Sequence, residues 1–460
     1  MTDETKGNYM KIVIVGCGRL GMAVTNQLVQ EGHDITVIDR DDERLQLASA
    51  RLDVKTINGN GVTLPVLEEA GVSGADLVIA ATANDEVNLL ICFIAKKTGA
   101  ANTIARVRNP EYADIMSLVK HDLGLSMSVN PEMACAREIE RSLKFPSVIT
   151  LDTFAKGKVE ILKFAIDEKS PLTGMKLKTM SKFKKRILVC AVERGDDEFF
   201  IPAGDFKIGV GDKVSIVGDA SHIPSFLSQI GVKKSSVQKV IIAGGGKIGF
   251  YLAKFLSNLD IKVTVIENDR RRCMHLAENL PKVEIICGDS TDRQVLEDAG
   301  IEDADAFAAL TEFDEENIMT SLYVGSMSDA KLVTMMSRMP YKQVISRLNV
   351  GSIFSPIQIA AEYILRYVRA MQNSYGSNVE TLCKIVDDKA EALEFSVSEN
   401  SSLNGIPLAE LKLKKNVLIG TINRKGNIII PSGSDCICAG DTVIVVTSIP
   451  GLNALEDILK

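Results

Sequence analysis

The 460-residue chain contains no tryptophan, only four histidines and no long uninterrupted run of apolar residues. A helix that spans a membrane needs about 18 to 20 consecutive apolar residues, so the sequence predicts no such helix. No charged segment followed by an apolar stretch opens the chain, which excludes the pattern of a secretory signal. We therefore expect a soluble, cytoplasmic protein, with the polar residues before Met10 as a frayed extension.

The chain also lacks an excess of positive charge. Its net charge is −7 at pH 7, its isoelectric point is near 5.4 and no basic stripe stands out. Nucleic acids and anionic lipid surfaces attract proteins through clustered Lys and Arg residues. The sequence therefore predicts no nucleic-acid partner and no direct binding to anionic lipid.

The nine cysteines show no zinc-type spacing, so we predict no metal site. The cysteines in apolar contexts, expected to be reduced core thiols, are Cys17, Cys92, Cys135 and Cys190. Cys436 and Cys438 are separated by one residue, which in a strand places both side chains on one face. Packing explains this pair better than a metal or redox role.

The sequence is duplicated. GCGRLG begins at Gly16 and GGGKIG at Gly244, 228 positions apart. AGVSGADLVIAATANDEVN (70–88) returns as AGIEDADAFAALTEFDEEN (299–317), and PAGDFKIGVGDKV (202–214) as PSGSDCICAGDTV (431–443). This spacing is far too long for a solenoid repeat and predicts two copies of a two-domain unit.

Short Val/Ile runs alternate with helical stretches in the front half of each copy. In the first copy the predicted strands are 11–15, 34–38, 54–57, 77–80 and 103–107, and the predicted helices are 19–30, 42–50, 64–70, 86–97 and 110–120. This alternation is typical of a parallel, doubly wound sheet, whereas the shorter, strand-rich back half predicts a small α+β module. The fold class is α/β, with two Rossmann-like domains that are each followed by a small α+β domain. The predicted segments are a nucleotide-binding domain (10–130), a crossover helix (131–147), a small domain (148–232), and their counterparts at 238–357, 358–374 and 375–460.

The first glycine turn follows a predicted buried strand and opens a predicted helix, which is the context that a dinucleotide-binding GxGxxG motif requires. The first glycine permits the tight turn, the second lets the backbone approach a pyrophosphate, and the third allows close helix–strand packing. The free N–H groups of the helix N-terminus attract the phosphates. The predicted contacts in this turn are Gly16, Cys17, Gly18, Arg19, Leu20 and Gly21, and those in the second copy are Gly244, Gly245, Gly246, Lys247, Ile248 and Gly249.

An acidic residue ends the strand after each glycine turn. Asp39 can accept hydrogen bonds from both hydroxyls of an adenosine ribose and would repel a 2′-phosphate, which favours NAD, ATP or ADP over NADP. The adjacent Arg40 would partly offset that charge. Glu267 occupies the corresponding place in the second copy.

Later strand ends are expected to face the same crevice, because parallel strands of this fold bind ligands at their carboxyl ends. The residues predicted there are Asn60, Thr82 and Ala83 in the first copy, and Asp289 and Thr311 in the second. Asn60 is equally well explained as a turn former.

Arg106 and Arg108 follow the fifth predicted strand on one face and are well shaped to bind phosphate oxygens. Surface ion pairs are the alternative role for them. In the second copy we align Met336 with Arg106 and Arg338 with Arg108, so that copy keeps one cation of the two.

No catalytic residues are predicted. The four histidines occupy unmatched places in the two copies, and no P-loop lysine signature or nucleophile elbow occurs. A chain with two nucleotide-shaped turns and no acid–base pair suits a sensor better than an enzyme. The alternatives are a soluble NAD-dependent oxidoreductase and an NADH-sensing regulator of another partner.

The arrangement resembles the TrkA family of regulatory subunits of Trk potassium-uptake systems. The resemblance rests on VIVGCGRLG, AGV..AD, DEVN, ARVRNPEY and the paired GD turns, and it covers residues from about 10 to 459. GNG at 59–61 departs from the glycine–aspartate pair that is usual in the wider group. The resemblance implies tandem TrkA-N (RCK/KTN) and TrkA-C domains that bind NAD(H), ATP or ADP without catalysis. It also implies a homotetramer at the inner face of the cell membrane, which would regulate an embedded TrkH or TrkG channel subunit and the potassium flux through it.

Overall fold

The protein is described by a computed structural model. The residues that the structure describes are 9–110, 112, 122–144, 148–168, 170–183, 187–195, 198–230, 237–338, 345, 348–374, 379–386, 389–449, 452 and 454–460. Within these ranges no helix has the length and apolar content needed to cross a membrane.

The first sheet has six parallel strands. They are β1 (Lys11–Val15), β2 (Asp34–Asp39), β3 (Lys55–Asn58), β4 (Leu77–Ala80), β5 (Asn102–Arg106) and β6 (Met127–Val129). Their order is β3-β2-β1-β4-β5-β6, which is the doubly wound arrangement. The helices of this copy are α1 (Arg19–Gln30), α2 (Asp42–Ser49), α3 (Leu64–Glu69), α4 (Asp85–Thr98) and the crossover helix α5 (Pro131–Lys144).

A five-stranded antiparallel sheet follows. Its strands are β7 (Val148–Phe154), β8 (Val159–Ala165), β9 (Ile187–Arg194), β10 (Glu198–Phe200) and β11 (Lys213–Asp219), in the order β10-β9-β11-β8-β7. The α-helix α6 (Ile223–Gln229) follows β11.

The second copy repeats both parts. Its parallel sheet contains β12 (Lys239–Ala243), β13 (Lys262–Glu267), β14 (Glu284–Cys287), β15 (Ala306–Ala309), β16 (Lys331–Met335) and β17 (Ser352–Phe354), in the order β14-β13-β12-β15-β16-β17. Its helices are α7 (Lys247–Ser257), α8 (Arg270–Asn279), α9 (Arg293–Asp298), α10 (Asp314–Met327) and α11 (Pro356–Ser374). The second small sheet contains β18 (Val379–Val386), β19 (Ala390–Ser396), β20 (Val417–Arg424), β21 (Asn427–Ile429) and β22 (Thr442–Thr447), in the order β18-β19-β22-β20-β21.

Apolar residues on both faces of the central parallel strands explain why the middle of each sheet is buried. In β12, Val240 and Ile242 lie in one buried cluster, whereas Ile241 and Ala243 lie in another. Successive strand side chains point to opposite faces, so the two clusters lie on the two sides of the sheet. In a doubly wound sheet, the loop at the carboxyl end of a strand leads into the following helix.

The described residues fall into two compact units. One comprises residues 1–143 and 237–365, and the other comprises residues 144–236 and 366–460. In the first unit, Ile139 of α5 shares a buried cluster with Leu252 of α7, and Asn130 donates to the Tyr251 hydroxyl over 3.1 Å. In the second unit, the Ala155 N–H donates to Glu394 over 3.0 Å. Each unit thus joins the two copies.

The predicted fold class is confirmed. The predicted strands at 11–15 and 77–80 have the observed bounds, and the other predicted strand bounds differ from the observed ones by one residue. The sequence pattern does not predict β6 and β17, because three residues carry too little periodicity to recognise. Apart from Pro110 and Tyr112, the helix predicted at 110–120 lies outside the described residues.

Candidate nucleotide-binding sites

The first glycine turn has the conformation and the space that its motif predicts. Gly16 has a φ of +108°, and a Cβ there would lie 2.8 Å from the Ala81 carbonyl carbon. A Cβ on Gly21 would lie 1.9 Å from the Gly16 carbonyl oxygen, whereas a Cβ on Gly18 would meet nothing within 4 Å. Gly16 and Gly21 are therefore required by packing, and Gly18 leaves open space at the start of α1.

The second turn repeats this geometry. Gly244 has a φ of +107°, a Cβ on Gly249 would lie 2.1 Å from the Gly244 carbonyl oxygen, and a Cβ on Gly246 would meet nothing within 4 Å. Neither Gly18 nor Gly246 provides a side-chain cap for the helix that it precedes. The N–H groups of both first turns lack a capping side chain, so an anion can take that role.

The strand-end acid in each copy is fixed by backbone N–H groups. Asp39 accepts from Cys17 N over 2.5 Å and from Asp41 N over 2.9 Å. Glu267 accepts from Gly245 N and Asp269 N, both over 2.8 Å. A carboxylate has about four lone-pair sites, so each acid can still accept ribose hydroxyls.

The two acids differ in their surroundings. Asp39 is partly exposed, and the following Arg40 points to solvent. Glu267 is 4% exposed and lies 3.4 Å from a guanidinium nitrogen of Arg272. Burial, followed by the charge of Asp39, raises the pKa of the Cys17 thiol, so this thiol stays protonated beside the acid.

We expect removal of the Asp39 carboxylate to weaken binding of adenosine nucleotides. Asp39→Ala should cost about 1.5–3 kcal/mol, the magnitude of a hydrogen bond to a charged group. Calorimetric titration with NAD and ADP measures this loss, and Asp53→Ala, which removes an exposed carboxylate elsewhere in the same domain, serves as the control. Unchanged affinity in the Asp39 variant would contradict its assignment as the ribose acceptor.

A buried asparagine organises the turn after β4. Asn88 is fully buried; its side-chain oxygen accepts from Thr82 N over 2.9 Å and from Thr82 Oγ1 over 2.6 Å. Its amide nitrogen donates to the carbonyls of Thr82 and Arg106, over 3.2 and 2.9 Å. Asn88 therefore fixes the Ala81–Ala83 turn to the end of β5.

The second copy contains the same device. Asn317 is fully buried, accepts from Thr311 N over 2.8 Å and donates to the Met335 carbonyl over 3.1 Å. The sequence pattern predicts no role for Asn88 or Asn317. The available signal was an asparagine at the same helical place in both copies.

The aspartate that begins DEVN (85–88) or DEEN (314–317) binds the backbone after the fifth strand of its sheet, and we call these hydrogen bonds the clamp of each copy. Asp85 accepts from the N–H groups of Arg108 and Asn109, each over 2.8 Å. Asp314 accepts from the N–H groups of Ser337 and Arg338, over 2.7 and 2.8 Å.

These clamps correct the alignment of the two copies. Asn88 and Asn317 bond the carbonyls of Arg106 and Met335, so Met335 corresponds to Arg106. By the same argument from the aspartates, Ser337 corresponds to Arg108. The alignment of Met336 with Arg106 and of Arg338 with Arg108 was wrong by one residue. It was wrong because it used an offset of 230, whereas the flanking repeats at 70–88 and 299–317 are 229 positions apart. The second copy therefore has no cation at either of these two positions.

The two arginines of the first copy have different environments. Arg106 donates to the Thr82 carbonyl over 3.2 Å, and its buried Nε has no partner among the described residues. Burial, followed by the neighbouring Arg108, lowers the pKa of Arg106. Arg108 forms an ion pair with Glu132, with Nε and a terminal nitrogen both 2.6 Å from Oε1. The ion-pair role is therefore found for Arg108, whereas Arg106 retains an unpaired nitrogen.

A cavity of about 890 Å³ lies between the two glycine turns, within the first compact unit. Its cationic side chains are Arg19, Arg106, Arg108, Lys247 and Arg272, and its carboxylates are Glu132 and Glu312. The excess of positive charge favours anionic groups such as phosphates.

A smaller, acidic cavity of about 240 Å³ lies in the second copy and shares Gly246, Arg272 and Glu312 with the larger one. Its charged side chains are Glu267, Asp269, Asp289, Glu312, Glu316 and Arg272. Burial, followed by the charge of Asp289, raises the pKa of Glu316. Thr311 lines this cavity. Phosphate oxygens are therefore opposed here by more carboxylates than in the first copy.

The turn after β3 also differs between the copies. The Asn60 side chain accepts from Val62 N over 3.3 Å, which is the bond of a turn former. Asp289 accepts from the N–H and hydroxyl of Thr291, and these bonds lower its pKa.

No pair of groups suited to acid–base catalysis is evident near the turns within the described ranges. His33 is buried, with 6% of its surface exposed, and accepts from Met10 N over 3.3 Å. His275 is exposed at the border of the larger cavity, and His121 lies outside the described residues. No cluster of three or more metal-binding side chains was found in the described part of the chain.

Comparison with known proteins identifies the family. Residues 12–131 and 240–356 match the TrkA-N domain, and residues 161–231 and 392–460 match the TrkA-C domain. A "Trk system potassium uptake protein TrkA homolog 1" from Methanosarcina mazei is 32% identical over 98% of this chain and 100% of its own. A TrkA homolog from Archaeoglobus fulgidus is 33% identical over 98% of this chain and 100% of its own, and TrkA from Halomonas elongata is 30% identical over 95% of each chain.

Solved structures show the same fold. The "GsuK Channel" has a TM-score of 0.65 at 17% identity, over 97% of this chain and 78% of that chain. The "GsuK channel bound to NAD" has a TM-score of 0.64 at the same identity and coverage. The crystal structure of GsuK bound to ADP has a TM-score of 0.50 at 15% identity, over 81% of this chain and 71% of that chain. The matched domains and the full-length relatives together establish that the chain belongs to the TrkA family of Trk potassium-uptake proteins.

Proposed function

We propose that the chain is the nucleotide-binding regulatory subunit of a Trk-type potassium channel or transporter, and that it controls potassium flux in response to NAD(H) or to ATP and ADP. The observation that carries the proposal is the first glycine turn, in which Gly18 faces open space beside the clamped acid Asp39. Regulation rather than catalysis is favoured because its relatives are potassium-uptake proteins and no acid–base pair stands near this turn within the described ranges.

The chemistry of the first site favours a ligand with a free adenosine ribose and a pyrophosphate. Asp39 would repel a 2′-phosphate, which favours NAD over NADP. NAD and ADP are bound in structures of the GsuK channel, which shares the fold. The acidic second site is expected to bind phosphates more weakly, so we assign the dominant nucleotide site to the first copy.

The proposed partner is a membrane-embedded channel subunit of the TrkH or TrkG type. The chain would act as a homotetramer at the cytoplasmic face of the cell membrane. Co-purification of the full chain with such a subunit tests the partner, and light scattering of the purified chain tests the tetramer. Capture of a different partner instead would favour the alternative of an NADH-sensing regulator.

An enzymatic role makes a different prediction. We expect no oxidation of NADH by the purified protein with common carbonyl acceptors, because the residues near the turn provide no evident general acid or base. Absorbance of NADH over time measures this. A saturable turnover that is lost in Gly18→Val would instead support the NAD-dependent oxidoreductase.

We expect Arg106 and Arg108 to distinguish ATP from ADP. The glycine turn and Asp39 can hold the shared adenosine diphosphate, so only the terminal phosphate can supply a difference between the two ligands. The cations are the guanidinium groups of Arg106, whose Nε has no partner among the described residues, and of Arg108, which is paired with Glu132. Arg106→Ala combined with Arg108→Ala should keep ADP affinity and erase any ATP preference, a coupling of about 1–3 kcal/mol, or about 5- to 150-fold.

Calorimetric titration with each nucleotide, followed by potassium flux in vesicles that contain the channel, measures this effect. Arg51→Ala removes an exposed cation elsewhere in the first domain and should leave the preference unchanged. A double variant that still distinguished ATP from ADP would place the sensing cation elsewhere.

A further inference from the structure

The second small module contains two cysteines whose sulfur atoms face each other. The Sγ atoms of Cys436 and Cys438 are 3.8 Å apart, and both residues are partly exposed. Ile437 between them is fully buried in the core of the module. Because neighbouring side chains of an extended segment point to opposite sides, the two thiols lie together on the outer side. Core packing therefore accounts for Ile437 and leaves the thiol pair without a role.

An arginine–aspartate pair holds the backbone on both sides of these thiols. Arg424 donates to the Cys436 carbonyl over 2.8 Å, and Asp441 accepts from Cys438 N over 2.8 Å. The Arg424 and Asp441 side chains also form an ion pair at 2.7 Å. Burial and the bond to Cys436 raise the pKa of Cys438, and the charge of Arg424 opposes this rise. The net rise keeps the Cys438 thiol protonated at neutral pH, and the charge of Arg424 opposes a bound cation at this pair.

The first copy has the same clamp without the thiols. Arg194 donates to the Lys207 carbonyl over 3.1 Å, and Asp212 accepts from Gly209 N over 2.7 Å. Lys207 and Gly209 thus occupy the places of Cys436 and Cys438. The clamp alone is sufficient for this loop, so the structure of the module does not require the cysteines.

We propose that Cys436 and Cys438 form a reversible oxidation site that closes an intramolecular disulfide in response to hydrogen peroxide. One thiol is oxidised by the peroxide to a sulfenic acid, with release of one water. The second sulfur then attacks the sulfenic sulfur and displaces the hydroxyl group as a second water. Two thiols and one peroxide thereby give one disulfide and two waters, with two electrons passed to the peroxide.

The short spacing predicts that this disulfide is easily reduced. The sulfurs must approach from 3.8 Å to about 2.05 Å. In an extended segment, the Cα atoms of residues two positions apart are separated by about 6.6–7.2 Å. This lies near or beyond the longest Cα separation of a disulfide, so the bond would shorten the segment between Cys436 and Cys438. Strained disulfides have high reduction potentials and are the labile, regulatory ones. Closure would also pull on the two backbone bonds of the Arg424–Asp441 clamp.

Peptide mapping tests the site directly. Trypsin cleavage after Lys425 releases residues 426–460 as one peptide, which contains Cys436 and Cys438 and no other cysteine. After limited treatment of the folded full-length protein with hydrogen peroxide, we expect this peptide to be about 2 Da lighter and to resist alkylation by N-ethylmaleimide. Dithiothreitol should restore both the mass and the alkylation.

Two variants and a control make the result specific. Cys436→Ser and Cys438→Ser should each abolish the mass loss, whereas Cys287→Ser, which removes a different exposed thiol, should leave it unchanged. Recovery of the 426–460 peptide as a dithiol while Cys287 is oxidised would overturn the proposal. Separate sulfinic acids on the two cysteines, or a disulfide that links two chains, would overturn it as well.

Discussion

Replacing Gly18 with valine is expected to abolish nucleotide binding in the first copy while the protein remains folded. A Cβ at Gly18 meets no protein atom within 4 Å, and the residue already has an extended conformation with φ −77° and ψ −171°. The added side chain would occupy the space in which a pyrophosphate approaches the first turn of α1. Loss of two hydrogen bonds to a charged ligand corresponds to about 3–6 kcal/mol, or a loss of affinity of about two to four orders of magnitude.

Calorimetric titration with NAD and ADP, together with thermal unfolding, measures both parts of this prediction. Gly246→Val is the matched variant of the second copy, and it should cost less affinity if the first copy is the dominant site. Gly21→Ala provides the structural contrast, because its Cβ would lie 1.9 Å from the Gly16 carbonyl oxygen and should destabilise the domain. Full nucleotide affinity in Gly18→Val would show that the ligand does not approach this turn.

The glycine turns and strand-end acids could be predicted from the sequence because their signals are local. Gly16 has a positive φ, and Asp39 ends a short strand with a continuous run of buried residues. The role of Asn88 depends on contacts with residues 6 and 18 positions away, which no local pattern contains. The correspondence of Arg106 with Met335 follows from the offset of 229 that the repeats on both sides already have, and the equivalent hydrogen bonds of Asn88 and Asn317 establish it.

The two copies share the hydrogen bonds and turn conformations of the scaffold but differ in charged residues that line the candidate sites. Asn88 and Asn317 make equivalent bonds, and both glycine turns have the same φ within 1°. The cation Arg106 is nevertheless replaced by Met335, and Ala83 has its counterpart in Glu312, a carboxylate at the mouth of the second site. The larger cavity between the two turns therefore has an excess of cations, whereas the smaller cavity of the second copy has an excess of carboxylates, which is the basis for expecting unequal responses to phosphates.

We expect Asn88→Leu to lower the local free energy of opening around β4 and β5. Leucine has a similar size but can neither donate nor accept, so the Thr82 N–H and the carbonyls of Thr82 and Arg106 would lose their side-chain partner. Each buried group left unsatisfied costs about 1–3 kcal/mol, which gives about 3–6 kcal/mol for the region because the three losses overlap. Hydrogen exchange of the amides in β4 and β5 measures this local free energy of opening.

Asn88→Asp and Asn317→Leu distinguish the loss of the Asn88 hydrogen bonds from a loss of packing. Asn88→Asp can still accept from the Thr82 N–H and hydroxyl but cannot donate to the carbonyls, so protection in β5 should fall more than protection of the Thr82 amide. Asn317→Leu should produce the corresponding loss in β15 and β16 while leaving β4 and β5 protected. Because Asn88 fixes both the Ala81–Ala83 turn and the backbone that carries Arg106, the Leu variant should also weaken ATP and ADP binding together. Unchanged exchange rates in Asn88→Leu would contradict this prediction. They would show that contacts other than those of Asn88 hold the Ala81–Ala83 turn.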